Sequence, residues 1–242
     1  MSEHTPDGQS RDDSVATWEV ETESGAARIY HHRAHHGSPR ATLVLGHGAG
    51  RGVDARDLDA VARALPADGV EVLLVEQPWH VAGRKTSSSN PKADQAWGAA
   101  LADLRGRGLG ARRLVVGGRS TGARVACRTV DKVRPDALFL LAFPLQPPMR
   151  RLEIPPSRLP ELVAAAELYP TIIVQGDRDS FGTPGEIAVG LAEAQITARV
   201  VPVPAADHGF KVGARVEGGQ QAALDLIVRA ARATALKIVD AF

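Results

Sequence analysis

Apolar residues follow two alternating patterns along this chain. Short, nearly continuous apolar runs such as Ala41–Gly46 and Val70–Glu76 are typical of strands buried on both faces of a sheet. Between such runs lie stretches such as Asp54–Leu65, where apolar residues recur three or four positions apart and predict a helix. Strands that alternate with helices at this spacing indicate βαβ units and a mostly parallel sheet.

The pattern predicts an α/β fold with about eight strands and helices on both faces of the sheet. The first two strands are short and flank Glu23-Ser24-Gly25, so they predict an antiparallel hairpin. The predicted strands are Val15–Glu21, Ala27–His32, Ala41–Gly46, Val70–Glu76, Arg113–Gly117, Ala137–Ala142, Thr171–Gln175 and Ala198–Val203. The predicted helices are Asp54–Leu65, Asn90–Arg105, Thr121–Val130, Pro184–Ala194 and Gly218–Lys237.

Two segments depart from this alternation. Phe143–Pro170 is rich in proline, which prevents a long helix, so it predicts a short excursion above the sheet instead of a large lid. We expect at most one short helix in it, around Leu159–Glu167. Residues 1–14 are polar and acidic and predict a disordered tail. The remainder, 15–242, has no linker-like break and predicts a single domain.

The composition argues against several classes of protein. The 242 residues are 44% apolar and 24% charged, as in ordinary globular proteins. A net charge of +1, from 29 basic and 28 acidic residues, gives no reason to expect binding to nucleic acid or to an anionic membrane. The single cysteine, Cys127, excludes an intrachain disulfide framework. No apolar run suits a membrane span or a secretory signal, so we expect a cytoplasmic protein.

The sharpest chemical signal is the G-x-S-x-G pattern of Gly118–Gly122. It follows the apolar run Leu114–Val116 and opens a predicted helix. A nucleophilic serine needs such a tight strand-to-helix turn to lift its hydroxyl from the sheet, and glycines fit where that turn crowds its neighbours. The helix N-terminus also favours developing negative charge. We therefore predict Ser120 as a nucleophile.

A second glycine-rich loop, Leu45–Gly50, directly follows another buried strand. Acyl transfer forms an oxyanion, and two backbone N–H donors must already point at it. One donor is expected from Thr121, the residue after the nucleophile, and the other from Ala49 or Gly48. A dinucleotide-binding reading fails because neither glycine register is followed by the third glycine or alanine that it requires.

Two further post-strand loops carry an acid and a base. Asp177 and Asp179 both follow the strand Thr171–Gln175, and His208 lies in the loop between the last strand and the last helix. The order serine, acid, histidine is that expected for a triad on this topology. We favour Asp179 as the acid, with Asp177 as the alternative.

These motifs together resemble the α/β-hydrolase superfamily, and more narrowly its small dienelactone-hydrolase-like proteins, whose eukaryotic relatives occur in a chromatin-associated acetyltransferase complex. The resemblance runs from about Ala41 to the C-terminus. Its specific segments are LVLGHGAG (Leu43–Gly50), GGRSTGAR (Gly117–Arg124), AFPLQPP (Ala142–Pro148), VQGDRDSFGTP (Val174–Pro184) and ADHGFK (Ala206–Lys211).

The resemblance implies Ser120 as nucleophile, His208 as base and Asp179 as acid. Two positions depart from the family pattern: Thr121 stands where methionine is frequent, and Asp177 stands where a small polar residue is usual. The first changes the edge of the pocket but keeps the backbone donor. The second makes Asp177 a competitor for the role of the acid.

The sequence therefore predicts a serine hydrolase that cleaves an ester, thioester or lactone bond of a small acyl substrate. Gly48, Arg119, Phe143 and Phe181 are candidate substrate contacts, and no metal or organic cofactor is needed. The histidines of 31–36 are interpreted as a strand running into a loop, not as a metal site. A non-catalytic interaction module and an acyltransferase using the same residues stay open as alternatives, as does the oligomeric state.

Overall fold

The computed structural model describes residues 15–84, 88–147 and 156–237. The predicted tail, 1–14, lies outside these ranges. Eight strands form one sheet in the described part of the chain. They are β1 (Val15–Val20), β2 (Ala27–His32), β3 (Ala41–Gly46), β4 (Val70–Glu76), β5 (Leu114–Arg119), β6 (Ala137–Leu141), β7 (Thr171–Gly176) and β8 (Arg199–Val203).

The strand order is β1-β2-β4-β3-β5-β6-β7-β8. β1 and β2 form an antiparallel hairpin, and β2 also runs antiparallel to β4. All further neighbours, from β4 through β3 to β8, pair in parallel. The predicted α/β fold, with a mostly parallel sheet and an N-terminal hairpin, is confirmed.

Seven α-helices lie in the described ranges. They are α1 (Arg56–Ala64), α2 (Pro78–Val81), α3 (Asn90–Gly106), α4 (Thr121–Val133), α5 (Leu159–Leu168), α6 (Pro184–Glu193) and α7 (Gly219–Leu236). The predicted first helix ends one residue early, because Pro66 converts its last turn into the 3₁₀ segment Leu65–Asp68. α2 was not predicted, since four residues are too few to show a helical period. The expected short helix near Leu159 corresponds to α5, whereas residues 148–155 of the proline-rich segment lie outside the description.

The sheet is covered on both faces, as its apolar strands require. On one face, Val44 and Val116 pack with Trp97 of α3 and Val125 of α4. On the other face, Leu45 packs with side chains of α1 and α7 such as Leu58 and Ile227. Successive strand residues thus contribute to different cores, which explains why β3 to β6 read as continuous apolar runs.

This topology collects loops at one edge of the sheet. Parallel strands present their carboxyl ends on the same side, so the loops after β3, β5, β7 and β8 lie together. Those four loops carry the chemical motifs found in the sequence. None of the helices in the described ranges combines the length and hydropathy that crossing a bilayer requires.

Candidate active site

Ser120 sits in a strained turn between β5 and α4. Its backbone has φ 52° and ψ −111°, a conformation that residues other than glycine rarely adopt. The Ser120 N–H donates to the carbonyl of Leu141 at the end of β6, which anchors the turn on the sheet. The serine is therefore held out of the regular strand by its surroundings.

The flanking glycines are needed because β3 passes directly under this turn. A Cβ on Gly118, whose φ is +152°, would lie 2.4 Å from the carbonyl oxygen of Gly46. A Cβ on Gly122 would lie 2.3 Å from the same oxygen. Both distances are far below a permitted contact, so the spacing of the glycines follows from backbone crowding.

Ser120, His208 and Asp179 form a continuous hydrogen-bonded chain. Nε2 of His208 lies 3.0 Å from Oγ of Ser120. Nδ1 of His208 lies 2.8 Å from Oδ2 and 3.0 Å from Oδ1 of Asp179. A carboxylate accepts only, so Nδ1 carries the proton, and Nε2 is left to accept the serine hydroxyl proton. The ring of Phe181 packs against the imidazole of His208, with 4.2 Å between the two ring centroids.

Asp179 is held in place by donors on several sides. Its side chain is buried, with the residue 3% exposed. The Phe181 N–H donates to Oδ1 at 2.8 Å, and Nε2 of Gln175 donates to Oδ2 at 2.9 Å. Gln175 also donates to the carbonyl of Gly182, which ties the loop after β7 to its strand. Sequence reasoning missed Gln175, although a glutamine that ends the apolar run of β7 was a visible signal.

Asp177, the alternative acid, points elsewhere. It is exposed, and no hydrogen bond or ion pair joins its carboxylate to His208. Its N–H donates to the carbonyl of Val203, so its backbone continues the pairing of β7 with β8. Of the two acids, the structure brings only Asp179 to the histidine.

The loop after β3 reaches the serine from the opposite side. A Cβ on Gly48 would lie 3.4 Å from Cβ of Ser120, so this loop runs alongside the hydroxyl. Thr121 is the first residue of α4, and its N–H has no partner within the helix. The N–H groups of Ala49 and Thr121 form no hydrogen bond with the described residues. Both residues line the same cleft as Ser120, whereas Gly48 is buried beneath it.

His47 fixes the shape of this loop. Its ring accepts the N–H of Gln77 on Nε2 at 2.9 Å, so the proton lies on Nδ1, which donates to the carbonyl of Gly48 at 2.8 Å. Burial lowers the pKa of His47 and keeps the ring neutral. The Gly48–Ala49 peptide is thereby oriented by a side chain that sequence reasoning did not single out.

Arg119, a candidate substrate contact, is engaged with protein groups beneath Ser120. Its Nη2 donates to the backbone carbonyl of His208 at 2.9 Å, and its Nε lies 3.2 Å from Oδ2 of Asp57. Asp57, at the start of α1, is 1% exposed. Burial raises the pKa of Asp57, and the charge of Arg119 opposes that shift. The pair thus links α1 to the histidine loop.

We expect replacement of Arg119 with methionine to lower the free energy of unfolding by about 3–5 kcal/mol, because a buried carboxylate loses its counter-charge. The folded-state pKa of Asp57 would rise further above its unfolded value. A carboxyl with a raised folded pKa loses stability as pH increases through that pKa, so the deficit should be larger at pH 8 than at pH 5. Urea denaturation at both pH values measures it.

The control for this prediction is Asp57→Asn in the Arg119→Met background. Removing the isolated charge should recover part of the stability and abolish the difference between the two pH values. An equal deficit at pH 5 and pH 8, with no recovery from the second substitution, would show that the ion pair contributes little.

A cleft of about 500 Å³ opens above the serine; we call it the Ser120 cleft. Phe181, a candidate contact, lines it. Phe143, another candidate, does not, because its side chain is fully buried and packs among core residues. The residues lining the cleft are Ala49, Gly50, Arg51, Asn90, Arg119, Ser120, Thr121, Arg124, Pro144, Arg158, Phe181 and His208.

A family model described as an alpha/beta hydrolase domain matches residues 39–236. The chain belongs to the α/β-hydrolase family. No curated protein matches the sequence. The resemblance predicted from the motifs is thus confirmed at the level of the family, and this α/β hydrolase is an enzyme of a fold shared by many esterases.

Solved structures similar to this α/β hydrolase share its architecture at low identity. An α/β serine hydrolase without a lid from Xanthomonas campestris has 15% identity and a TM-score of 0.67, over 93% of this chain and 97% of that one. Est1E from Butyrivibrio proteoclasticus has 14% identity and a TM-score of 0.69, over 91% and 98%. A Klebsiella pneumoniae protein named for dienelactone hydrolase has 17% identity and a TM-score of 0.63, over 89% and 99%.

Among the residues described, no group of histidine, cysteine, aspartate or glutamate side chains is arranged to hold a metal ion. His31, one of the clustered histidines, instead pairs through Nε2 with the buried Glu71 at 3.0 Å. Cys127 lies buried on α4, where burial raises the pKa of its thiol, so it is not an alternative nucleophile.

Proposed function

We propose that this α/β hydrolase is a carboxylesterase-like serine hydrolase that cleaves an ester-type bond of a small acyl substrate. One observation carries the proposal: the hydroxyl of Ser120, the imidazole of His208 and the carboxylate of Asp179 are joined by hydrogen bonds of 2.8–3.0 Å at an open cleft. A serine activated by an oriented histidine is the arrangement that acyl transfer requires.

In the first half-reaction, Nε2 of His208 takes the proton from Oγ of Ser120 while that oxygen attacks the substrate carbonyl carbon. The carbonyl π electrons move to its oxygen, which becomes an oxyanion held by the N–H groups of Thr121 and Ala49. When the carbonyl re-forms, the bond to the leaving oxygen breaks. His208 gives its proton to that oxygen, and the alcohol departs.

In the second half-reaction, water takes the place of the alcohol. His208 removes one proton from the water as its oxygen attacks the acyl carbon of the serine ester. Collapse of the second oxyanion breaks the bond to Oγ, and His208 returns the proton to Ser120. Asp179 stays ionised throughout; it keeps the proton on Nδ1 and stabilises the imidazolium. No cofactor takes part in any of these steps.

The substrate is proposed to be small because the Ser120 cleft has a volume of about 500 Å³ and is open to solvent. The Xanthomonas campestris relative is described as a serine hydrolase without a lid. An open cleft suits short or extended acyl groups better than a long, fully enclosed lipid chain.

Labelling with a fluorophosphonate probe tests the proposal. We expect one covalent adduct per chain, located on Ser120 by peptide mass spectrometry, because such probes react with serines activated as nucleophiles. Ser120→Ala should not be labelled. The matched control is Ser38→Ala, an exposed serine in the loop before β3, which should be labelled as fully as the unaltered protein.

Folded protein that takes no label would contradict the proposal and favour a non-catalytic interaction module on the same scaffold. If the protein is labelled, it is then incubated with an ester and a competing alcohol, and the products are identified. This distinguishes hydrolysis from transfer of the acyl group to an acceptor other than water. A free acid as the main product supports hydrolysis.

A further inference from the structure

The Ser120 cleft is lined by arginines. Arg51, Arg119, Arg124 and Arg158 all line it, whereas no aspartate or glutamate does among the described residues. The chain as a whole has a net charge of only +1, so this is a local concentration of positive charge. A cleft with one sign of charge attracts ligands of the opposite sign.

Two of these arginines are neutralised by the protein itself. Arg119 lies beside Asp57, as described above. Arg124 forms a two-bond pair with Glu161 of α5, at 2.9 Å and 2.6 Å. Their charges are therefore compensated, and neither guanidinium is free to act as the main contact for an anion.

Arg158 differs from these two arginines. It lies just before α5, half-buried, and its Nη1 donates to the carbonyl of Pro144 at 3.3 Å. Glu161 attracts Arg158 only through space, because its carboxylate accepts hydrogen bonds from Arg124 and, at 3.4 Å, from Nη1 of Arg128, but not from Arg158. Within the described residues, no carboxylate pairs with Arg158.

An arginine in this position is costly to the folded protein. Burial lowers the pKa of Arg158 and the neighbouring charge of Arg124 lowers it further, whereas the charge of Glu161 partly opposes this shift. A guanidinium stays protonated under such conditions, so the protein keeps a partly desolvated positive charge that no carboxylate of the described residues contacts directly. Groups held in an unfavourable state beside a reactive centre are candidates for ligand binding.

Arg51 adds a second positive charge to the lining of the cleft. It directly follows the loop Gly48–Gly50 and is exposed. Its guanidinium makes no hydrogen bond or ion pair with the part of the chain that is described. Arg51 and Arg158 thus belong to different loops, and both line the same cleft as Ser120.

We propose that the substrate of this site is an ester that carries a carboxylate, and that Arg158 binds the carboxylate while the ester carbonyl lies at Ser120. A guanidinium suits this task because its parallel N–H groups can donate to both carboxylate oxygens. Arg51 strengthens the local positive potential. The inference names the substrate class of the proposed hydrolase and therefore rests on that function.

The test compares matched esters. The mono-p-nitrophenyl ester of adipate carries a carboxylate on the acyl side. Its neutral partner is the mixed diester, methyl p-nitrophenyl adipate, in which that carboxylate is a methyl ester. 4-Acetoxybenzoate and its methyl ester form the corresponding pair with the carboxylate on the leaving group. We expect kcat/KM for the carboxylate member of at least one pair to exceed that of its neutral partner by about tenfold or more. The pair that shows the preference identifies the side of the ester that faces Arg158.

Arg158→Gln should lower that preference about ten- to a hundredfold, the range expected for loss of a charged hydrogen-bonding partner. Arg158→Lys should retain part of it, since the charge remains without the two-point geometry. The matched control is Arg229→Gln, which removes an exposed arginine of α7 and the same net charge outside the cleft. The preference should survive this control unchanged.

Two outcomes would overturn the inference. One is hydrolysis dependent on Ser120 with no preference for either carboxylate ester. The other is a preference that Arg158→Gln and Arg229→Gln change equally. If no ester is turned over, so that the hydrolase proposal itself fails, calorimetry with adipate decides the binding question. Adipate binding that weakens about tenfold or more in Arg158→Gln supports the anion site, and absence of binding overturns it.

Discussion

Ser120→Ala is expected to lower kcat for hydrolysis of p-nitrophenyl butyrate by about 10⁴- to 10⁶-fold. Alanine removes the only atom that can form the acyl-enzyme, while the N–H groups of Ala49 and Thr121 and the cleft remain. The residual rate should therefore reflect oxyanion stabilisation alone. KM should change much less than kcat, since the hydroxyl contributes mainly to the transition state.

The substitution is also informative because Ser120 occupies a strained backbone position, with φ 52°. Alanine adopts that φ no more readily than serine, so we expect little change in the midpoint of urea denaturation. Ser38→Ala is the control for substitution elsewhere on the surface. A Ser120→Ala protein that is folded and hydrolyses the ester at the original rate would end the assignment of the nucleophile.

Asp179→Asn is expected to lower kcat by about 10⁴-fold without preventing folding. The carboxylate accepts from Phe181 N–H on Oδ1, from Gln175 on Oδ2 and from Nδ1 of His208. Asparagine has one carbonyl oxygen and an NH₂ group that can only donate. Whichever way the amide turns, its NH₂ faces a donor, and the tautomer of His208 that Ser120 needs is no longer favoured.

Asp177→Asn is the matched control, because it makes the same chemical change two residues away on an exposed side chain. We expect it to leave kcat within about twofold, since Asp177 has no contact with His208 and surface substitutions are usually nearly neutral. Measured kcat values for both variants decide the assignment. Loss of turnover in Asp177→Asn alone would assign the acid to that residue instead.

Much of the fold could be predicted because its signals are local. Strands β2, β3 and β4 have the predicted bounds, since Ala41–Gly46 and Val70–Glu76 are apolar runs with clear polar or glycine boundaries. α2 and the 3₁₀ segment Leu65–Asp68 were not predicted, because so few residues show no period. The description does not reach 1–14 or 148–155, so the tail and the middle of the proline-rich segment stay predictions.

Less of the site could be predicted, because its supporting contacts join residues far apart in sequence. Gln175 orients Asp179, and His47 orients the Gly48 peptide. In the sequence, each of the two is only a polar residue at or beside the end of a strand. Phe143 was placed in the pocket by its position after β6, but whether the ring points into the cleft or into the core depends on the packing beneath the loop.

By itself the sequence determined the class of fold, the glycine-rich turn around Ser120 and the order of serine, acid and histidine along the chain. These depend on periodicity and on residue types within a few positions of each other. Tertiary structure alone decided which acid meets His208 and which arginines of the cleft pair with a carboxylate of the described residues. Those outcomes depend on distances between separate loops, and such distances exist only once the sheet brings its carboxyl ends together.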